Sequence, residues 1–153
     1  MNGNTETKPV EHFIDCDEAP FIPEGWSILP ANEQLPRRFC GVLWWGVTEV
    51  ALHLSTKQKN NLQVLGSELC KELEEIVVYP ANVLDFLLKK ENWHLIPEEW
   101  EGVRVFFWGT IYCRSDDYLG VRCLCRIDDK WTWSCHWLDS KWSDHDLSAI
   151  ACN

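Results

Sequence analysis

The sequence predicts a single α+β domain, in which an antiparallel meander of three to four strands packs on two consecutive helices and a short helix closes the chain. Three observations predict it. Segments between Val103 and Leu138 alternate in side-chain character with period two and are joined by short Asp-bearing turns. Between Gly66 and Lys90 the period changes to that of amphipathic helices. The 153 residues, 46% of them hydrophobic, suffice for one core and not for two.

Residues 1–10 are polar and aperiodic, which predicts a disordered tail ahead of a domain over 11–153. In "HFIDCDEAPFIPEGWSILP", Pro20, Pro23 and Pro30 exclude a helix and favour an extended surface segment anchored by Phe13, Ile14, Phe21, Ile22 and Trp26. Its His12, Asp15, Asp17 and Glu18 read as solvated or capping groups beside proline turns. "FCGVLWWGVTEVALHLS", Phe39 to Ser55, is rich in β-branched and aromatic residues and predicts one or two strands, with Gly46 at a bend or bulge.

Ser67 is a candidate cap for a first helix, whose Leu69, Cys70, Leu73 and Ile76 share a face opposite a run of Glu and Lys. "PANVLDFLLKK" predicts a second, with Asn82 and Asp85 spaced as a capping box and Lys89 and Lys90 at the negative end of its dipole. Pro97 and Gly102 then lead into the sheet.

Strand alternation sorts the sheet into two sets. The odd positions, including Val103, Val105, Phe107, Cys113, Val121, Cys123, Cys125, Trp131, Trp133, Cys135 and Trp137, are nearly all apolar and predict the core face. The even positions bring Phe106, Trp108, Tyr112 and Tyr118 beside Arg104, Arg122, Arg126 and His136. Aromatic rings with Arg are the composition of interaction hot spots. The predicted function is accordingly a non-catalytic binding module for a protein or small ligand, through Trp108, Tyr112, Arg122, Arg126 and His136. Burial of that face under helices or the N-terminal segment, or cation-π pairing within it, is the competing structural account.

Other function classes are narrowed by charge and motif. A net charge of −10 opposes binding to nucleic-acid backbones, although an acidic inhibitor imitating nucleic acid is an alternative. Carbohydrate stacking on Trp108 and Tyr112 is another. No phosphate loop, G-x-S-x-G or H-E-x-x-H occurs. A small hydrolase-like enzyme using His136 or His145 with a carboxylate is the enzymatic alternative, and no catalytic residue, cofactor or metal is assigned. "DSKWSDHDLSAIAC" predicts the short final helix, with Ser143 or Asp144 as its cap.

Eight cysteines without C-x-x-C knuckles read as reduced thiols in an apolar core, where raised pKa values make them poor nucleophiles. The polar start of the chain carries no secretory signal and no apolar run has transmembrane length, so a cytoplasmic location with no membrane partner is expected.

Taken together, "LHLSTKQK", "GSELCKEL", "ANVLDFLL", "LIPEEWEG", "FFWGTIYCRSD", "GVRCLC" and "WTWSCHWLDSKW" resemble a group of small, uncharacterised bacterial proteins found in genomes of uncultured lineages. The resemblance spans roughly Val50 to Ala151 and implies a self-contained bacterial intracellular domain, with no activity, cofactor or catalytic residue attached.

Overall fold

A mixed, curled sheet forms the centre of the molecule. The structure, a computed structural model, describes residues 12–46 and 50–152. In chain order the elements are β1 (His12–Asp15), β2 (Ser27–Ile28), β3 (Val42–Trp45), β4 (Val50–His53), β5 (Val64–Leu65), α1 (Gly66–Glu72), α2 (Ala81–Leu88), β6 (Arg104–Phe106), β7 (Tyr112–Cys113), β8 (Leu119–Ile127), β9 (Lys130–Trp137), β10 (Lys141–Trp142) and β11 (Asp146–Ala151). The seven-stranded sheet runs β2-β7-β8-β6-β11-β4, with β9 paired to β8. β1 and β3 make a separate two-stranded ribbon, and β5 pairs with β10.

This overturns the predicted meander on two helices. The β11–β6 pairing is parallel, so the sheet is mixed, and strand outweighs helix in the chain. The predicted C-terminal helix is instead β11, which lies between β6 and β4 and joins them through both of its edges. Its Leu147, Ala149 and Ala151 alternate with Ser148 and Ile150, and inside a sheet that alternation outweighs the helical preference of Ala. The predicted tail over residues 1–10 lies outside the described residues.

The two helices lie in different layers. One core gathers α2 residues Val83, Leu84 and Leu87 with Ile14, Leu43, Trp45, Trp100, Val105, Phe107 and Leu124. The other gathers α1 residue Leu69 with Leu73, Val64, Phe106, Trp108, Val121, Cys123 and Trp142. The sheet is therefore buried on both faces over much of its area, which explains why β8 is buried from Gly120 through Cys125 without alternation. α1 ends in a tight turn over Leu73–Glu75, shorter than the helical spacing predicts. Asn82 does not close the predicted capping box on α2; its amide donates to the backbone oxygens of Asp15 and Glu18 and fastens the N-terminal segment to the helix.

Two features of register set the faces. Ile127 pairs with Lys130, leaving Asp128 and Asp129 as a two-residue turn with φ of 51° and 63°, the left-handed pair that defines a type I′ hairpin. An even-length turn pairs odd with even residues, so Trp133 faces Leu124 and Cys135 faces Arg122. Between Phe106 and Tyr112 the chain advances six residues while β8 retreats three, from Cys123 to Gly120. The three extra residues form a bulge, and because three is odd it exchanges the faces of β6 and β7.

Gly109 lies in this bulge. A Cβ built there would come within 2.5 Å of the Pro80 nitrogen and 2.6 Å of the Tyr79 carbonyl carbon, so only glycine lets the two backbones cross. The crossing is tied by Gly109 N–H donating to Tyr79 O at 2.8 Å and Ala81 N–H donating to Thr110 Oγ1 at 2.9 Å.

Candidate functional site

The bulge and the hairpin turn decide where the predicted binding residues go. Trp108 lies on the α1 side, fully buried with its ring 4.9 Å from that of Trp142. Tyr112, beyond the bulge, lies on the α2 side together with Arg122, and both are buried. His136 pairs with Val121 and so lies on the α1 side, where its Nε2 is 2.8 Å from Lys141 O and its ring packs 4.8 Å from Trp142. Arg126 shares the Arg122 face but sits at its exposed end, paired to Glu101 and 3.7 Å from Asp129. The five residues form no common surface.

Arg122 and Tyr112 are instead joined in an internal cage. The Arg122 guanidinium is 1% exposed; Nη1 donates to Asp85 Oδ1 at 3.0 Å and to Tyr112 Oη at 3.2 Å. It lies 4.5 Å from the Trp133 ring centre, 5.1 Å from Phe21 and 5.8 Å from Tyr112, and its buried Nε has no hydrogen-bond partner among the described residues. Phe21 N–H donates to Asp85 Oδ2, Tyr112 O–H donates to Phe21 O, and Trp26 packs edge-on against Tyr112 and Trp133. The proline-rich segment thus straps the α2 side of the sheet. Burial outweighs the nearby Arg122 and pushes the Tyr112 hydroxyl up to about 12.

A second constellation, on the α1 side at the far end of β8, has more chemistry in it. Cys123 and Cys125 are two apart on one strand and therefore face the same way. Asp146 pairs with Arg104, and the β6–β8 register continued by one residue sets Arg104 beside Cys125, which in turn pairs with Thr132. One cross-strand row therefore reads Asp146, Arg104, Cys125, Thr132. Arg104 Nε donates to the buried Asp146 carboxylate at 2.6 Å. A cavity of about 300 Å³ borders Arg104 and Cys125 of this row and is lined also by Arg126, Ser134 and His145 among others. His145 Nδ1 is 2.9 Å from Asp144 Oδ1.

The thiols in this place differ sharply. Cys125 is held down to about 7, by its pairing with Cys123 and then by Arg104, against the opposing effect of burial. Cys123, the deeper of the two, is raised by the same pairing and by desolvation. Cys16, Cys70 and Cys135 are pushed up by burial, to about 12, 11 and 12. The raised values of Cys123 and Cys135 agree in direction with the expectation for thiols on the core face, and Cys125 departs from it. The signal was present in the sequence as Cys-x-Cys on a strand ending at a turn; Arg104 as its neighbour follows only from the register.

Among the described residues no group of three His, Cys, Asp or Glu is placed to hold a metal ion, and no helix is long and apolar enough to cross a membrane. Comparison with family models, curated proteins and solved structures gives no match.

Proposed function

We propose that the chain binds a small electrophilic ligand in the cavity over Cys125 and reacts with it through that thiol. The observation that supports this reading is that Cys125, Arg104, Ser134 and His145 line one cavity of about 300 Å³. The thiolate is the nucleophilic form of cysteine, and a neighbouring cation favours it. His145, its Nδ1 2.9 Å from Asp144 Oδ1, lines the same cavity. Of the residues predicted to bind, Arg126 lines this cavity.

The test is alkylation of the folded protein by iodoacetamide across pH, read cysteine by cysteine from peptide masses. Cys125 is expected to label with a midpoint near 7, while Cys16, Cys70 and Cys135 stay unmodified at neutral pH. A Cys125 that resists alkylation at about pH 8, well above that midpoint, overturns the reading.

A further inference from the structure

We infer that the free edge of β9 receives an extended peptide carrying Lys or Arg, added to the sheet as one more antiparallel strand.

β9 closes the sheet on one side and pairs with β8 alone. It is eight residues long, whereas β4 at the opposite end of the sheet has four. Neighbouring β8 is buried from Gly120 through Cys125, yet no residue of β9 is fully buried, although Trp131, Trp133 and Trp137 lie on it. A long aromatic edge of this kind is one that proteins ordinarily cover or blunt.

The hairpin register shows which backbone groups stay open. Ile127 and Lys130 close the two-residue turn, and at the other end Leu138 N–H donates to Leu119 O at 3.0 Å. The bonds to β8 therefore come from the even residues, and the N–H and C=O groups of Trp131, Trp133 and Cys135 point away from it. Among the described residues none of these groups has a hydrogen-bond partner. A strand laid along them exchanges hydrogen bonds with these residues, and its side chains on the same face meet the Trp rings, so apolar residues are wanted at every second position.

Charge selects the occupant. Asp128 and Asp129 form the turn at one end of the edge. At the other, where β9 runs into Leu138, Asp116, Asp117 and Asp139 line a cavity of about 410 Å³ together with Tyr118. Arg114 and Arg126 are taken up by Asp116 and Glu101, whereas Asp117, Asp128 and Asp139 have no ion-pair partner among the described residues. Against these stand Lys130 on β9 and Lys141 on β10. The net charge of −10 gives the wider field the same negative sign.

A second copy of the chain fits this edge poorly. Two β9 strands joined antiparallel, with all their odd residues in register, set Trp133 opposite Cys135 and Trp131 opposite Trp137. Two steps further out, Asp129 then meets Asp139 at both ends, and like charges directly opposite are destabilising. A basic peptide turns the same carboxylates into attractions.

The experiment follows amide hydrogen exchange in the full chain by NMR with three capped eight-residue probes: alternating Lys-Val, the same peptide N-methylated at every valine, and alternating Glu-Val. The Lys-Val probe is expected to slow exchange at Trp131, Trp133 and Cys135 about tenfold near saturation, with Thr132, Ser134 and His136 unchanged because they already bond to β8. The N-methylated probe keeps the charge and loses the donors that face β9, so it is expected to protect none of the three amides, and the Glu-Val probe likewise. Asp128→Asn with Asp129→Asn, whose amide side chains tolerate the left-handed turn, is expected to weaken Lys-Val binding about threefold while Ser134 and His136 stay protected. No protection by the Lys-Val probe at about 1 mM overturns the inference. Equal protection by the Lys-Val and Glu-Val probes overturns the basic occupant. Protection that grows with the concentration of the chain alone overturns it too, and assigns the edge to a second copy.

Discussion

Arg122 and Asp85 form a buried ion pair, Nη1 to Oδ1 at 3.0 Å, that joins the middle of β8 to α2 and, through Phe21, to the N-terminal strap. Arg122 is 1% exposed, so its charge depends on this partner and on the surrounding rings. Asp85→Ala is expected to destabilise the fold by about 3 kcal/mol, because it leaves a guanidinium buried without a counter-ion. Removing both charges, with Arg122→Met added, is expected to cost less than the sum of the two single changes. Urea unfolding of the four proteins in the cycle checks this. Strict additivity would mean that the pair contributes no coupling.

The hairpin turn offers the opposite case, a place where the natural residues are not the best ones. Asp128 and Asp129 both adopt positive φ, which costs L-residues and suits glycine at the second position of a type I′ turn. Asp129→Gly is expected to raise stability by about 0.5 to 1 kcal/mol, the relief of strain outweighing the added freedom of the unfolded chain. The exposed contact of Asp129 with Arg126 at 3.7 Å is too weak to reverse the sign. A thermal midpoint unchanged or lowered in Asp129→Gly would count against this assignment of strain.

The same turn shows how far the sequence could be read. The presence of β8 and β9 was legible from alternation, as were α1, α2 and the bend at Gly46, where φ is 91°. Which residues faced each other was not. Counting odd positions together required a turn of odd length, and the two left-handed aspartates supply an even one. The bulge at Gly109 makes a second exchange that alternation cannot reveal, because Trp108 and Tyr112 keep the spacing of one face while lying on two. β11 was missed because its strand character comes from neighbours far away in sequence, β4 and β6. The candidate site inherited these errors. Arg122, expected on a binding surface, is an internal tie, whereas Cys125 is buried as expected and also borders a cavity.

Gly109→Ala tests the crossing at the bulge. The added methyl would meet backbone atoms of Tyr79 and Pro80 at 2.5 to 2.7 Å, and neither can rotate away as a side chain could. The expected loss is about 3 kcal/mol, the upper range for overpacking, together with loss of the hydrogen bond to Tyr79 O as the strands part. Hydrogen exchange should show the Gly109 and Ala81 amides losing protection before those of β9. Unchanged protection at both would show that the segments can separate freely.

Stability against pH should carry two opposed slopes, one from each kind of thiol. Cys125 releases its proton near 7 in the folded chain, below the value of 9.0 for an ordinary thiol. Between these limits the unfolded chain holds more protons, so stability rises with pH. Cys16, Cys70 and Cys135 keep theirs up to about 12, 11 and 12, and Tyr112 keeps its own to about 12 against an ordinary 10.0. For these groups the folded chain holds more protons above 9, so their contribution is fully present below that pH and is lost as pH climbs toward 12. The urea midpoint is therefore expected to climb between about pH 7 and 9 and then fall steeply. Cys125→Ser should flatten the climb and leave the fall in place, whereas Cys16→Ala should soften only the fall. A climb that persists in Cys125→Ser would assign it to some other group and remove the lowered thiol from the account of the site.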